Sequence, residues 1–190
     1  MRHGGENLRA SDYRVETIPL AQAQELVKAY HYSGGGSNTA TFRHGLVRNS
    51  DGKVLGCAWW IPPTKSAAMA NHDGDWRKVL ALSRLVVAPE VPRNGASFLM
   101  ARSIRLIKQD GRWEKLLTYA DSWQGHSGNV YRSAGWEFLG ETKPERVYVR
   151  DGRMMGRKRG GKTLRHGEML EQGFECLGSF SKARFGIELT

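Results

Sequence analysis

Residues 82–97 read Leu82-Ser83-Arg84-Leu85-Val86-Val87-Ala88-Pro89-Glu90-Val91-Pro92-Arg93-Asn94-Gly95-Ala96-Ser97. A run rich in Leu and Val stops at two prolines. Small residues then open an amphipathic stretch, Gly95 to Lys108, with Ala96, Leu99, Met100, Ser103, Ile104 and Ile107 on one side. The pattern is strand, short loop, helix. Free backbone N–H groups at such a helix start, together with its dipole, can hold a pyrophosphate. The candidate cradle comprises Val86 and Val87 at the strand end, Arg93 as a charge, and Asn94, Gly95, Ala96 and Ser97 at the turn. The plainer reading is a strand–helix joint with no ligand.

A second stretch complements the first. Thr118-Tyr119-Ala120-Asp121-Ser122-Trp123-Gln124-Gly125-His126-Ser127-Gly128-Asn129-Val130-Tyr131 takes a buried strand into a polar loop and a short helix, Ser127 to Ala134. A carboxylate at the carboxyl end of a strand stands where open α/β sheets bind ligands. Asp121 is therefore a candidate, with a cap or turn residue as its plainer role. Trp123 reads as a rim or core aromatic and His126 as a solvated loop residue. Asn129 and Tyr131 lie on the short helix.

Outward from these stretches, the elements alternate. Pro19 to Tyr30 is helical, with Pro19 in the first turn, and Gly34-Gly35-Gly36-Ser37 breaks the chain after it. Phe42 to Val47 and Lys53 to Trp60 read as strands joined at Asn49-Ser50-Asp51-Gly52. Lys78 to Val87, Lys115 to Ala120, Trp136 to Leu139 and Arg146 to Val149 are further strands, and Phe174 to Leu189 adds one or two more. The sum is a mixed α/β domain spanning 1–190, with residues 1–12 as a flexible N-terminus.

The chain has 190 residues, 29 Lys+Arg against 19 Asp+Glu, and a net charge of +10. That length suits one domain, and 39% hydrophobic residues with six Trp can supply a core. No apolar run approaches the roughly 18 residues of a membrane helix. The polar start has no signal-type apolar core, and Cys57 and Cys176 make neither a disulfide framework nor a zinc set. The expectation is a reducing, cytoplasmic setting with no metal centre. The basic balance favours an anionic partner, nucleic acid first. From Lys143 to Arg165 nine basic residues face two acidic ones, a local charge of +7 interrupted by glycines. Residues 143–165 read as a basic ribbon or loop in contact with DNA, with Arg153, Arg157, Lys158 and Arg159 in it. A merely solubilising loop is the alternative.

Arg93, Gly95, Ser97, Asn129, Tyr131, Gly135 and Trp136 together resemble the Gcn5-related N-acetyltransferase fold, which implies a central splayed sheet flanked by helices and a coenzyme A site. The resemblance narrows further. His31-Tyr32-Ser33-Gly34, Ala58-Trp59-Trp60-Ile61-Pro62-Pro63-Thr64, Leu82 to Val87, Tyr119 to His126, and Gly152-Arg153-Met154 followed by Arg157-Lys158 are similar to the Mom family of phage DNA-modification proteins. It extends over about residues 17 to 187. The resemblance implies conversion of DNA adenine to N6-carbamoylmethyl-adenine, protecting phage DNA from host restriction, in the host cytoplasm. By position it implies His31, Ser33, Arg84, Asp121 and Tyr131 as active-site residues.

On that basis Asp121 is expected to accept from the weakly nucleophilic adenine amine, and Tyr131 to act as acid or orienter. His31 is a second base or donor clamp. Ser33, Ser83 and Arg84 hold substrate or donor. A base inside a duplex must be flipped out, and Trp59, Trp60 and Trp123 are the stacking candidates. The implied donor is acetyl-CoA. The product, however, bonds nitrogen to a methylene carbon rather than to a carbonyl, so a glycine-derived donor such as a charged tRNA, or an additional iron, stays open. The expected partners are double-stranded DNA and a coenzyme A-type donor, with no membrane; a homodimer is compatible. Two other functions stay open: an ordinary N-acetyltransferase acting on a protein or small amine, and a non-catalytic DNA-binding protein.

Overall fold

The computed structural model describes residues 6–33, 35, 39–125 and 128–189. Along them run β1 (Tyr13–Thr17), α1 (Leu20–Tyr30), β2 (Phe42–Arg48), β3 (Val54–Ile61), α2 (Lys65–Met69), β4 (Val79–Val87), α3 (Gly95–Asp110), β5 (Lys115–Asp121) and α4 (Asn129–Ser133). Next come β6 (Glu137–Glu141), β7 (Glu145–Arg150), β8 (Arg153–Met155), β9 (Lys158–Arg159), β10 (Lys162–Thr163), α5 (His166–Glu171), β11 (Glu175–Phe180) and β12 (Lys182–Glu188). No described helix is long and apolar enough to cross a membrane.

Seven strands form one sheet in the order β1-β2-β3-β4-β5-β12-β6. Among the described residues its only parallel pair is β4–β5, in register from Val79↔Lys115 to Leu82↔Thr118. Beyond that point β4 stays with β3 as far as Val87, and β5 stays with β12 as far as Asp121. The two strands diverge inside the sheet and leave a wedge. At the fork the Thr118 hydroxyl donates to the Leu82 carbonyl at 3.2 Å.

Both faces of the sheet are covered. The apolar stripe of α1, Ala23, Leu26 and Val27, packs with Cys57, Trp59 and Val86. The stripe of α3, Leu99, Met100 and Ile107, packs with Leu46, Leu55, Trp60, Leu80 and Leu116. Successive strand residues point to opposite faces, so the adjacent pair Trp59 and Trp60 is shared between the two layers. They are 1% and 0% exposed. Trp60 also stacks on Trp136 at 6.4 Å and donates its indole N–H to Ser103 at 2.7 Å. Neither face of either ring is open to a nucleobase, and the stacking role expected of Trp59 and Trp60 is thereby overturned.

The N-terminal segment departs from expectation. Residues 1–5 lie outside the described residues, but 6–12 are tied down rather than flexible. Leu8 donates its N–H to the Arg93 carbonyl at 2.9 Å, and Arg93 donates to the Glu6 carbonyl at 3.2 Å. Residues 13–17, which carried no expectation, form the edge strand β1 against β2. Helix α2 was equally unforeseen; the Thr64 side chain caps it by accepting from the Ala67 N–H.

Between β6 and β12 the chain leaves the main sheet. Strands β11-β7-β8 form a second sheet and β9-β10 a short ribbon. They close with α5 over a small core of Tyr148, Leu164, Met169 and Phe174. The basic stretch is thus two hairpins feeding a helix, and Phe174 to Leu189 divides into strands of two different sheets.

Candidate active site

The wedge between β4 and β5 opens into a cavity of about 430 Å³. Ser83 and Arg84 reach its wall from β4, Asp121 from the end of β5, Asn129 and Tyr131 from α4, and His31 from the residue after α1. Val87 and Ala96 line it at the strand end and the start of α3. Residues far apart in sequence therefore meet because two strands stop pairing.

Asp121 is the hub, 7% exposed. Its Oδ2 accepts a hydrogen bond from the Tyr32 hydroxyl. Lys182, its register partner on β12, brings Nζ to 2.9 Å from Oδ1, an ion-pair contact short of a directed hydrogen bond. Burial and the bond to Asp121 push the Tyr32 phenol up, which keeps it a proton donor. Tyr32 stacks on His31 at 4.2 Å and meets Trp123 edge-on at 5.7 Å. Neither Tyr32 nor Lys182 was singled out as a site residue. Tyr32 sat inside the quoted His31-Tyr32-Ser33 string, whereas only the strand register could have placed Lys182.

His31 and Ser33 form a local unit. His31 Nδ1 lies 2.8 Å from the Ser33 hydroxyl, which contacts the Gly35 carbonyl at 3.0 Å. Arg84 donates to the same Gly35 carbonyl at 3.3 Å and to the Ser83 carbonyl at 2.7 Å. Burial pulls the Arg84 guanidinium down, against the pull of Tyr32 and Asp121. On the far wall, Tyr131 packs between Trp136 and Phe185, and burial raises its phenol.

The turn at the start of α3 requires correction. Gly95 does not face the cavity: a Cβ there would come within 2.2 Å of Val91, and its N–H is taken by the Pro92 carbonyl. Its smallness serves packing. Asn94 has φ 66 and gives its side-chain amide to Asn7. Arg93 is exposed and held by the N-terminal segment. Val86 is buried under α1. What remains for a phosphorylated donor is Ala96 at the wall and the Ala96 and Ser97 amides, which as first-turn amides have no intrahelical acceptor. With the unpaired edge of β4 beyond Leu82, these residues fit the extended arm and pyrophosphate of coenzyme A, through fewer contacts than the sequence suggested.

Trp123 and, of the expected basic residues, Arg157 alone line a neighbouring cleft of about 240 Å³, under the β7–β8 hairpin. Asp121, Lys182 and Arg157 line it with Trp123. Arg153 and Lys158 are exposed. Arg159 instead lies over the Phe174 ring at 5.3 Å, part of the small core. His126 falls outside the described residues, as do Gly34, Gly36 and Ser37. Among the described residues no cluster of three His, Cys, Asp or Glu side chains is assembled.

The splayed mixed sheet is that of the N-acetyltransferases. An N-acetyltransferase from Staphylococcus aureus Mu50 superposes with a TM-score of 0.57 at 13% identity, over 94% of this chain and 99% of that one. A spermidine N-acetyltransferase from Vibrio cholerae, solved with CoA and spermine, gives 0.56 at 11%, over 94% and 96%. An IAA acetyltransferase from Bacillus cereus ATCC 14579 gives 0.56 at 12%, over 93% and 99%. No curated protein matches the chain in sequence. The family model of the Mom proteins matches residues 12–176, and the chain belongs to that family of phage DNA-modification proteins.

Proposed function

We infer that this protein is a transferase that carbamoylmethylates the N6 amine of adenine in DNA, with Asp121 accepting the amine proton. The observation that carries this reading is a buried carboxylate in the wall of the wedge of the splayed sheet, held on one oxygen by Tyr32 and on the other by Lys182. The adenine amine is a weak nucleophile because its lone pair is spread into the ring. Bonding carbon to N6 displaces a proton, and an acceptor at hydrogen-bond distance lowers that barrier. Tyr32 stays protonated and orients the carboxylate. Tyr131, also held protonated by burial, is the donor-side acid. Arg84 and the His31–Ser33 unit position the donor's polar end.

Coenzyme A, when bound, would supply a thioester, whose transfer to N6 releases the thiol and leaves an N-acyl group; the N–CH2 bond of a carbamoylmethyl product instead requires a donor that already carries it, such as the glycyl unit of a charged tRNA. Ala96, Ser97, Val87 and Asn129 are the residues that would hold coenzyme A. Membership in a DNA-modification family and the exposed cations beside the site favour DNA over a small amine as acceptor.

Nucleoside mass spectrometry of DNA from cells expressing the chain tests this. The intact protein should yield a deoxyadenosine carrying a carbamoylmethyl group. Asp121→Asn keeps the shape and still accepts from Tyr32 but cannot take a proton, so modification should fall by roughly 10²–10⁴-fold. Tyr131→Phe should fall while keeping its packing. An acetylated protein or polyamine with unmodified DNA would point to the ordinary acetyltransferase. Near-normal modification by Asp121→Asn would remove Asp121 from the mechanism, since asparagine caps and turns about as well.

A further inference from the structure

We propose that the cleft between the β7–β8 hairpin and the Asp121 end of β5 is the pocket that receives an extruded purine base, with Trp123 and Met154 in its walls. The proposal rests on the transfer reading above and adds where the acceptor sits.

Asp121 lines both this cleft and the larger wedge cavity. Its carboxylate therefore stands between two spaces. A two-substrate transfer needs donor and acceptor to meet at one group in a fixed orientation. The wedge lies along the unpaired edge of β4 and takes an extended donor. The second space, about 240 Å³, is left for the acceptor.

The lining of the cleft suits a flat, aromatic ligand. Trp123 and Phe180 supply rings and Met154 and Met155 supply thioethers, with Tyr148, 1% exposed, as the core ring backing the wall. Such walls bind a base by its π-face. Tyr148 is fixed by a 2.9 Å contact between its hydroxyl and His166 Nδ1, so that wall is rigid. The Trp123 indole N–H is buried with no acceptor among the described residues. The ring nitrogens of a purine are acceptors that would satisfy such a donor. Arg146 and Arg157 line the same cleft and are exposed. Cations beside a base pocket hold the flanking phosphates and fix the register of the strand. The segment between β6 and β12 thus forms the pocket as well as attracting DNA.

The test uses the full chain and four duplexes of one sequence: fully paired, and with a single adenine, guanine or thymine opposite an abasic site. An unpaired adenine has its extrusion already made, so the protein should bind that duplex about 10–100-fold more tightly than the paired one. Met154→Trp fills the cleft and should erase this preference, with affinity for the paired duplex and for coenzyme A unchanged. Trp123→Phe keeps a ring and removes the N–H. It should reduce the preference and lower DNA modification without changing coenzyme A binding. A preference retained in both variants overturns the proposal, and an equal preference for unpaired thymine overturns the purine assignment. Loss of coenzyme A binding in Met154→Trp would mean a damaged fold, and Trp123→Phe then decides alone. The binding preference needs no chemistry, so it stands or falls separately from the effect of Asp121→Asn on modification.

Discussion

His44 should make this protein lose stability on mild acidification, by an amount its surroundings define. It lies on β2, 2% exposed, with Phe42 stacked on it at 5.3 Å. Its Nδ1 is 2.7 Å from the Ser103 hydroxyl, and Ser103 already accepts the Trp60 indole N–H at 2.7 Å. The Ser103 hydroxyl keeps one hydrogen and one further lone pair, so it can donate to His44 Nδ1 or accept from it according to the imidazole tautomer. Burial pulls the His44 pKa down from 6.5 to about 4. The folded-state value lies below the unfolded one, so the unfolded chain binds the extra proton in between. The stabilisation is complete above pH 6.5 and is lost as pH falls toward 4. At 1.36 kcal/mol per unit the whole effect is about 3 kcal/mol, with about 2 kcal/mol of it gone by pH 5. Urea unfolding at pH 7 and pH 5 measures it, with His44→Gln as the non-titrating control. Wild type should lose about 2 kcal/mol more than the variant between the two pH values. Equal losses would show that His44 is protonated in the fold at no cost and refute the argument.

Two further outcomes are expected. Ala96→Trp places a large side chain in the wedge at the helix start; calorimetry should find coenzyme A binding abolished while the thermal midpoint and DNA affinity hold. Binding of nonspecific duplex measured across salt concentrations should show a slope lowered by up to about 2.7 when Arg153, Arg157 and Lys158 are replaced by Gln, at about 0.9 per lost phosphate contact; an unchanged slope would remove the stretch from the interface.

Features set by local pattern were the most legible in the sequence. Strand, prolines, small residues and helix at 82–110 marked the β4–α3 joint, and a carboxylate ending a buried strand marked Asp121. Trp59 and Trp60 misled because composition cannot tell a two-sided buried strand from an aromatic platform; helices on both faces make the pair core. Gly95 looked like a phosphate-binding glycine, but its missing Cβ makes room for Val91. Strand β1, Tyr-Arg-Val-Glu-Thr, was hidden because an edge strand needs little apolar alternation. The segment between β6 and β12 was opaque for a different reason. Its β8, β9 and β10 are two or three residues long, too short for any period to declare itself. Lys182 could not be read at all, since its meeting with Asp121 depends on the β5–β12 register.

The same segment shows why net charge overstates the contacts available to an anionic partner. Of the nine cations between Lys143 and Arg165, several already have intramolecular work. Lys162 pairs with Glu168 at 2.6 Å, and Arg150 and Arg159 lie over Phe174. Arg157 gives its Nε to the Leu164 carbonyl but stays exposed. Lys143, Arg146, Arg153, Lys158 and Arg165 are exposed and make no salt bridge among the described residues. Arg146, together with Arg157, lines the cleft that also contains Asp121. The charge that folds the small core and the charge free to meet phosphate are therefore different residues. Of the free set, Arg146 lies in the cleft with the carboxylate of Asp121.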